Sequence, residues 1–444
     1  MSPRQLSLPL LPLLSLMALT GCGLVSREPS DETGTDDARE GSTSTGEPAE
    51  TGSTGSSRDP NQVGVCHFED EEFAQLVRRS SSYGSADHVL DVWALTIDDD
   101  VASLKGIDCL SSLTDLYFER SWWSPPLDLA PVGAVTTLDY VHITDGEYES
   151  AQVLSTLPLS EIRLSHLDWT SLDALEGSNT IERLVLEDVP AQDLTALASL
   201  TNLRWLKLND TLSTDLSPLE DLDRLQELEV IDVPVKSLPR LGQIDHLYSI
   251  WLEDTDIVSL EGLAGAPELV FVGIFSPGLL ENLGGLEALP LLHTLIIEDS
   301  DLSDVSALTG STSLKRVEVI NAQLEDISPL GACENLTRLV LSDNSITDLS
   351  PLRALSLHHL NVARNQIENV TPLIGKPLLT FDLTANNITT LPADFIGAQS
   401  GCQGTLLEQN PLDGPSIDLL KTLCSSTDYT FLWDGGGCDR CPDP

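Results

Sequence analysis

The sequence predicts an α/β solenoid of about fourteen to fifteen turns. Parallel strands line its concave face, and 3-10 or extended segments form its convex side. Three observations predict it. In Asn335–Leu352, "NLTRLVLSDNSITDLSPL", leucine-like residues stand at 336, 339, 341, 346, 349 and 352. That spacing is neither the 3.6-residue period of a helix nor strict alternation. The pattern also returns along the chain, in "SLKRVEVINAQLEDISPL" (313–330), "LHHLNVARNQIENVTPL" (357–373) and "LLTFDLTANNITTLPADF" (378–395). With Asn344 as marker, equivalent positions are Asp100, Ser121, Ile143, Leu167, Val189, Thr211, Val233, Thr255, Pro277, Ser300, Ala322, Asn365 and Asn386, in steps of 21 to 24 residues. Finally, two Met and 5% aromatics against 41% hydrophobic residues suit a core filled by leucine.

The repeat L-x-x-L-x-L-x-x-N-x-L resembles that of leucine-rich-repeat proteins. Its 22-residue length and endings such as "DLSPL" and "NVTPL" resemble the internalin-like bacterial class. Each turn would give a short strand whose two leucines point inward, then cross the back and return. Proline after "DLS" suits a 3-10 or extended back. The resemblance spans Val92–Asn410 and implies protein–protein recognition without catalysis or a cofactor. Only Asn344, Asn365, Asn386 and Asn410 keep asparagine at the marker, where the family forms a ladder to backbone groups. Central turns carry Thr, Ser, Val, Leu and Pro there, so Phe271–Pro277 and the 23- and 24-residue steps are expected to be irregular.

Residues 1–21 read as a signal peptide: Arg4, an apolar run from Leu6 to Leu19, then small residues, too short for a transmembrane helix. Leu19-Thr20-Gly21-Cys22 resembles the lipobox of bacterial lipoproteins, which implies lipidation at Cys22, and Gly23 implies outer-membrane sorting. Residues 22–62 are an acidic Ser/Thr/Gly-rich linker. It lacks the apolar side chains to offset its ordering entropy, so it should be a disordered stalk with an r.m.s. span of roughly 35 Å. The localisation expected is secretion across the inner membrane and display at the outer membrane, periplasmic or surface-exposed.

Solenoid ends expose core and need covers. Residues 63–91 hold an amphipathic segment, "CHFEDEEFAQLVRR", with Phe68, Phe73, Leu76 and Val77 on one face, expected to cap the array at 92–400. A Cys66–Cys109 disulfide fits a secreted chain. Residues 401–444 read as a last turn at Asn410, a helix around Ser416–Leu423 and a closing strand near Tyr429–Trp433. Cys402, Cys424, Cys438 and Cys441 would staple this cap, with connectivity left open. Cys333 is left over as a buried apolar thiol.

The net charge of −47 excludes a nucleic-acid footprint. A basic or mixed apolar and basic protein surface is the partner class that fits, and simple solubility explains the charge equally well. A monomer is expected. There is no Gly-rich phosphate loop, HExxH or GxSxG, so no enzyme is expected. His142 and His166 read as equivalent positions in neighbouring turns, a solvated surface pair.

Function is therefore sought on the strand face. With the LxL leucines at strand positions four and six, positions three, five, seven and eight face outward. Large apolar residues stand there in turns six to ten: Trp205, Trp251, Phe271, Phe275 and Ile296. Clustered exposed aromatics mark interaction sites, while rings packing on one another is the bland alternative. Position eight is acidic in Asp188, Asp210, Asp232, Asp254, Asp299 and Asp343, with Glu187, Glu227, Glu229, Glu253 and Glu298 alongside. Like charges one rung apart repel. Their persistence points to a basic partner, a bridging Ca²⁺ or plain solvation, though the six or more oxygens that Ca²⁺ wants are not in sight. Carbohydrate binding by an envelope adhesin is the alternative function.

Overall fold

An LxL pair must place both leucines on one side of a strand, and a stack of such strands joins them into one core. The computed structural model describes residues 62–63, 66–80, 91–287, 289–395, 404–425 and 431–437, all within the unit Arg58–Pro444. Sixteen parallel strands, from Ala94–Ile97 to Phe431–Trp433, follow one another in sequence order. Each pairs with the strand before and after it; for example, Trp205–Asn209 lies between Arg183–Glu187 and Glu227–Ile231. The register holds the leucines in unbroken columns: Leu184, Leu206, Leu228, Ile250 and Val272 align, as do Leu186, Leu208, Val230, Leu252 and Ile274. All ten are buried in one continuous hydrophobic cluster. Sequence neighbours about 22 apart have become spatial neighbours.

The backs are short 3-10 turns that begin with an aspartate device. In "DLSPL" and "DISPL", the Asp carboxylate accepts the N–H of the Ser two residues on, as at Asp215–Ser217 (2.8 Å), Asp326–Ser328 (2.8 Å) and Asp348–Ser350 (2.8 Å). Proline then occupies the first helical turn, where its missing N–H is no loss. The hydrogen bonds from Ser hold the Asp326 and Asp348 carboxyls below the usual carboxylate range.

At the N-terminal end the helix Glu71–Ser80 buries Phe73, Ala74 and Val77 over the first turn. Asp70 ties it down twice: Oδ1 accepts the N–H groups of Glu72 and Phe73, and Oδ2 those of Ala102 and Ser103. The Cys66–Cys109 disulfide joins cap to array. At the other end, Phe381, Phe395 and Phe431 step across the last turns at centroid distances of 6.3 and 6.5 Å. The helix Gly414–Ser425 packs behind them, with Asp413 as its cap and the Ser416 hydroxyl accepting the Leu391 N–H. Cys424 is disulfide-bonded. Cys333 is a free thiol, fully buried. Residues 1–61, which hold the expected signal peptide, Cys22 and all of the expected linker but Gln62, lie outside the described residues, as do Cys402, Tyr429, Cys438 and Cys441.

The asparagine ladder forms as its residues imply. Asn365 Nδ2 donates to the Leu341, Val362 and Ala363 carbonyls, while its Oδ1 accepts the Ile346 N–H at 2.9 Å. Asn344, Asn386 and Asn410 repeat the arrangement. Two central turns place threonine there instead, and the buried hydroxyls of Thr211 and Thr255 have no hydrogen-bond partner among the described residues.

Three expectations are corrected. Phe271–Phe275 is a regular five-residue strand in full register on both sides; the irregularity lies in the back that follows it, where no 3-10 turn forms among the described residues. The third marker is Gly146, not Ile143, because Val141 and Ile143 are themselves the inward LxL pair. The turn before it is enlarged by "RSWWSPP", whose chain runs on into the short parallel pair Leu127–Asp128 and Tyr148–Glu149. His142 therefore aligns with Arg163, while His166 sits at the corner after its strand, so the two histidines are not equivalent.

Asn365→Ala removes four hydrogen bonds and strands a buried N–H. It should cost about 3 kcal/mol in urea denaturation, whereas Thr255→Val should be neutral or stabilising.

Candidate functional site

Three outward columns run across the strands, and one further column stands at the corner where each strand ends. That corner has its own backbone rule. In thirteen consecutive turns, from Asp145 to Gln409, the residue has φ between 46° and 59°. The left-handed region is costly for most L-residues, and Asp and Asn are among those that enter it most readily. Asp188, Asp210, Asp232, Asp254, Asp299 and Asp343 all sit there. Their N–H groups extend the ladder, as from Asp210 to the Ile231 carbonyl and from Asp254 to that of Phe275, both 2.9 Å. The acidic column thus has a conformational cause that the sequence reading did not supply, and no cation is required to explain it. Among the described residues no three His, Cys, Asp or Glu side chains converge on a metal position.

The strand positions are less acidic than they read. Glu161 takes both Arg163 (2.9 Å) and Arg183 (3.3 Å), Lys207 pairs with Glu229 (3.5 Å), and Arg316 and Arg338 share Glu318. Glu227 accepts the Tyr248 hydroxyl. Burial, Glu318 and Asp299 together push the Glu298 carboxyl up.

Trp251, Phe271 and Phe275 form one aromatic shelf. Trp251 stands opposite Gly273 in register. With no side chain at Gly273, the rings of Phe271 and Phe275 close over it, and the indole stacks on both, 4.3 Å from Phe275 and 6.2 Å from Phe271, the latter with an interplanar angle of 8°. Trp251 Nε1 donates to Glu253 at 3.0 Å, which fixes the ring's edge. The three rings are partly buried, not fully exposed. Ile296, expected to be an exposed contact, is corrected: it lies beside Gly273 at 9% exposure, in an outward column yet covered by the shelf around it. Trp205 does not join the stack. It lies two rungs away, with Arg183 over its face at 4.2 Å and Nε1 donating to Glu229. Asp210, Asp232 and Asp254 are exposed at the corner and Glu253 and Glu298 half-buried on the strands.

The most exposed aromatics were missed. Trp122 and Trp123, at 74% and 69% exposure, stand at the tip of the inserted loop. The tip is clamped: Asp99 accepts the Ser121 N–H and the hydroxyls of Ser121 and Ser124, and these bonds hold its carboxyl down at about 2. Buried Arg120 holds the Asp98, Val101 and Pro125 carbonyls. "SWWSPP" breaks the repeat, so a search of repeat columns passes over it.

The comparisons agree with this geometry. The family model described as Leucine Rich repeats (2 copies) matches residues 334–375. No curated protein matches the sequence. Among solved structures, an internalin, InlF of Listeria monocytogenes, superposes with a TM-score of 0.53 at 21% identity, covering 85% of this chain and 97% of that one. A leucine-rich-repeat protein of Leptospira interrogans gives 0.62 at 18% identity over the same shares. A chain of the Toll–Spatzle complex of Drosophila gives 0.55 at 18% identity, over 73% of this chain and 58% of that one. The chain has the leucine-rich-repeat fold, a solenoid like that of the internalin structure. Among the described residues no helix is long and apolar enough to cross a membrane.

Three substitutions separate conformation from charge and shelf from core. Asp254→Val, a β-branched residue at positive φ, should cost about 2 kcal/mol in chemical denaturation, while Asp254→Gly should be close to neutral. A Cβ at Gly273 would lie 3.0 Å from Phe271 Cε1 and 3.1 Å from Phe275 Cε2. Gly273→Val should therefore part the stacked rings and alter near-ultraviolet circular dichroism, with the far-ultraviolet spectrum unchanged.

Proposed function

We propose that this chain is a non-catalytic recognition protein that binds another protein through the concave face of turns six to ten. The observation that carries the reading is the Trp251–Phe271–Phe275 shelf over Gly273. It is a pre-stacked apolar surface on the open side of a sheet whose inward side is already filled. Rigid aromatic anchors lose little entropy on binding, and such residues dominate interface energetics. The Toll–Spatzle chain, similar in fold, is one seen in a protein complex, which supports the same use here.

The partner we infer is apolar where it meets the shelf and basic where it meets Glu253, Asp232 and Asp254. Carbohydrate is the alternative reading, because stacked rings beside carboxylates can also receive sugars. We further propose that Cys22 is lipidated and that residues 22–62 hold the array away from an outer membrane, as the lipobox-like Leu19–Cys22 supports.

The test is a pull-down of envelope proteins with the full chain, repeated in chelator and in high salt. A true partner should lose roughly 2 kcal/mol of binding on Trp251→Ala with the fold intact. Unchanged affinity in that variant rejects the site. Asp232→Asn with Asp254→Asn should weaken binding chiefly at low salt, leaving stability alone.

A further inference from the structure

Two arginine pairs flank the shelf, and they differ in what their guanidinium groups are left to do. Counting strands from Ser249–Glu253, which carries Trp251, Arg183 and Arg316 both stand three rungs away, roughly 14 Å at 4.8 Å per rung. On the N-terminal side, Arg183 lies on the face of Trp205, and Arg163 and Arg183 take separate oxygens of Glu161. That pair is engaged. On the C-terminal side the arrangement is open. Arg316 and Arg338 are direct neighbours in one outward column, and both use only Nε, at 2.9 and 2.8 Å, on the same oxygen, Glu318 Oε1. Among the described residues their terminal Nη groups carry no hydrogen bond, and the side chains are 35% and 43% exposed.

Glu318 is 8% exposed, so it is a buried strut beneath the pair. One carboxylate between two guanidinium groups leaves a local charge of about +1, fixed in position, beside a corner column that is largely acidic. The column continues through His359, aligned with Arg338, whose Nδ1 lies 2.8 Å from the Thr380 hydroxyl. In the tautomer where Nδ1 accepts from Thr380, Nε2 carries a hydrogen and adds a third donor. Below the pair, Thr294 aligns with Arg316. Of the nearby acids, Glu318 is consumed as the strut, Asp343 is paired with Arg364 at 3.1 Å, and Glu298 stands at the far end of the strand next to that of Arg316, where burial and Glu318 push its carboxyl up.

We infer that Arg316, Arg338 and His359 form an oxyanion-binding site, which receives a carboxylate or phosphate carried by the partner docked on the aromatic shelf. The inference deepens the proposed function and rests on it for the identity of the carrier, though not for the site. The planar guanidinium fork matches both anions, and the anchored Nε atoms mean that little side-chain entropy is lost on engagement. A partner read this way has mixed charge: apolar at the centre, basic toward the aspartate corners, and anionic at turns eleven to thirteen.

The experiment uses the full chain and small probes. Inorganic phosphate and succinate are titrated separately at low salt, followed by calorimetry and by the Arg Nε–Hε resonances. Saturable binding with a shift at Arg316 and Arg338 is expected. Arg316→Gln and Arg338→Gln should each weaken it at least tenfold, while Arg183→Gln should change it less than twofold. Arg338→Lys keeps the charge and loses the fork, and should fall between. Binding of phosphate alone assigns a phosphorylated group; binding of both probes, or of succinate alone, assigns a carboxylate. No saturable binding of either probe, or equal loss in Arg183→Gln, overturns the site. Trp251→Ala should leave probe binding unchanged, so failure of the oxyanion site and failure of the shelf are read separately.

Discussion

No turn of this protein can bury its own leucines. Each presents a thin apolar edge that becomes interior only when the turns above and below supply the rest of the wall. Every other feature answers to that constraint. The inward columns must stay in register, the backbone must leave each strand at the same angle, and both ends must be closed. The end covers differ because the chain has different material there: an amphipathic helix with Phe73 and Val77 at one end, a run of phenylalanines and a helix at the other.

The architecture was readable because its cause is periodic. Leu339 and Leu341, and their equivalents, repeat at an interval that no helix or lone strand would need. The Cys66–Cys109 bridge was expected of a secreted chain with one cysteine in the cap and the other on the first turn, and the buried Cys333 from its place on the back of the array. The misplaced third marker shows where periodic reasoning runs out. Ile143 has the right chemistry for a marker in a degenerate column, and only pairing reveals that it is a strand residue. "SWWSPP" was passed over for the complementary reason: what interrupts a repeat carries no column to compare.

The candidate site was legible in identity and less so in meaning. Trp251, Phe271 and Phe275 were found from register alone, since their inward neighbours already fill the core. That Gly273 makes room for the two phenyl rings on which the indole stacks could not be seen, because a glycine announces only an absence. The acidic residues were the most misleading. Read as charges, they asked for a counterion. Placed in the fold, some bend the backbone at the corners, as Asp210 and Asp254 do, and others begin the 3-10 turns, as Asp326 and Asp348 do. Composition reports charge whichever task the side chain performs.

The left-handed corner carries a consequence for how such a protein diversifies. Asp, Asn and Gly all accept that backbone geometry, and they differ in charge by a full unit or none. A lineage can therefore repaint the rim of its binding surface, rung by rung, without disturbing the leucines a few ångströms beneath. Shape is inherited through the inward columns, and polarity drifts freely along the edge.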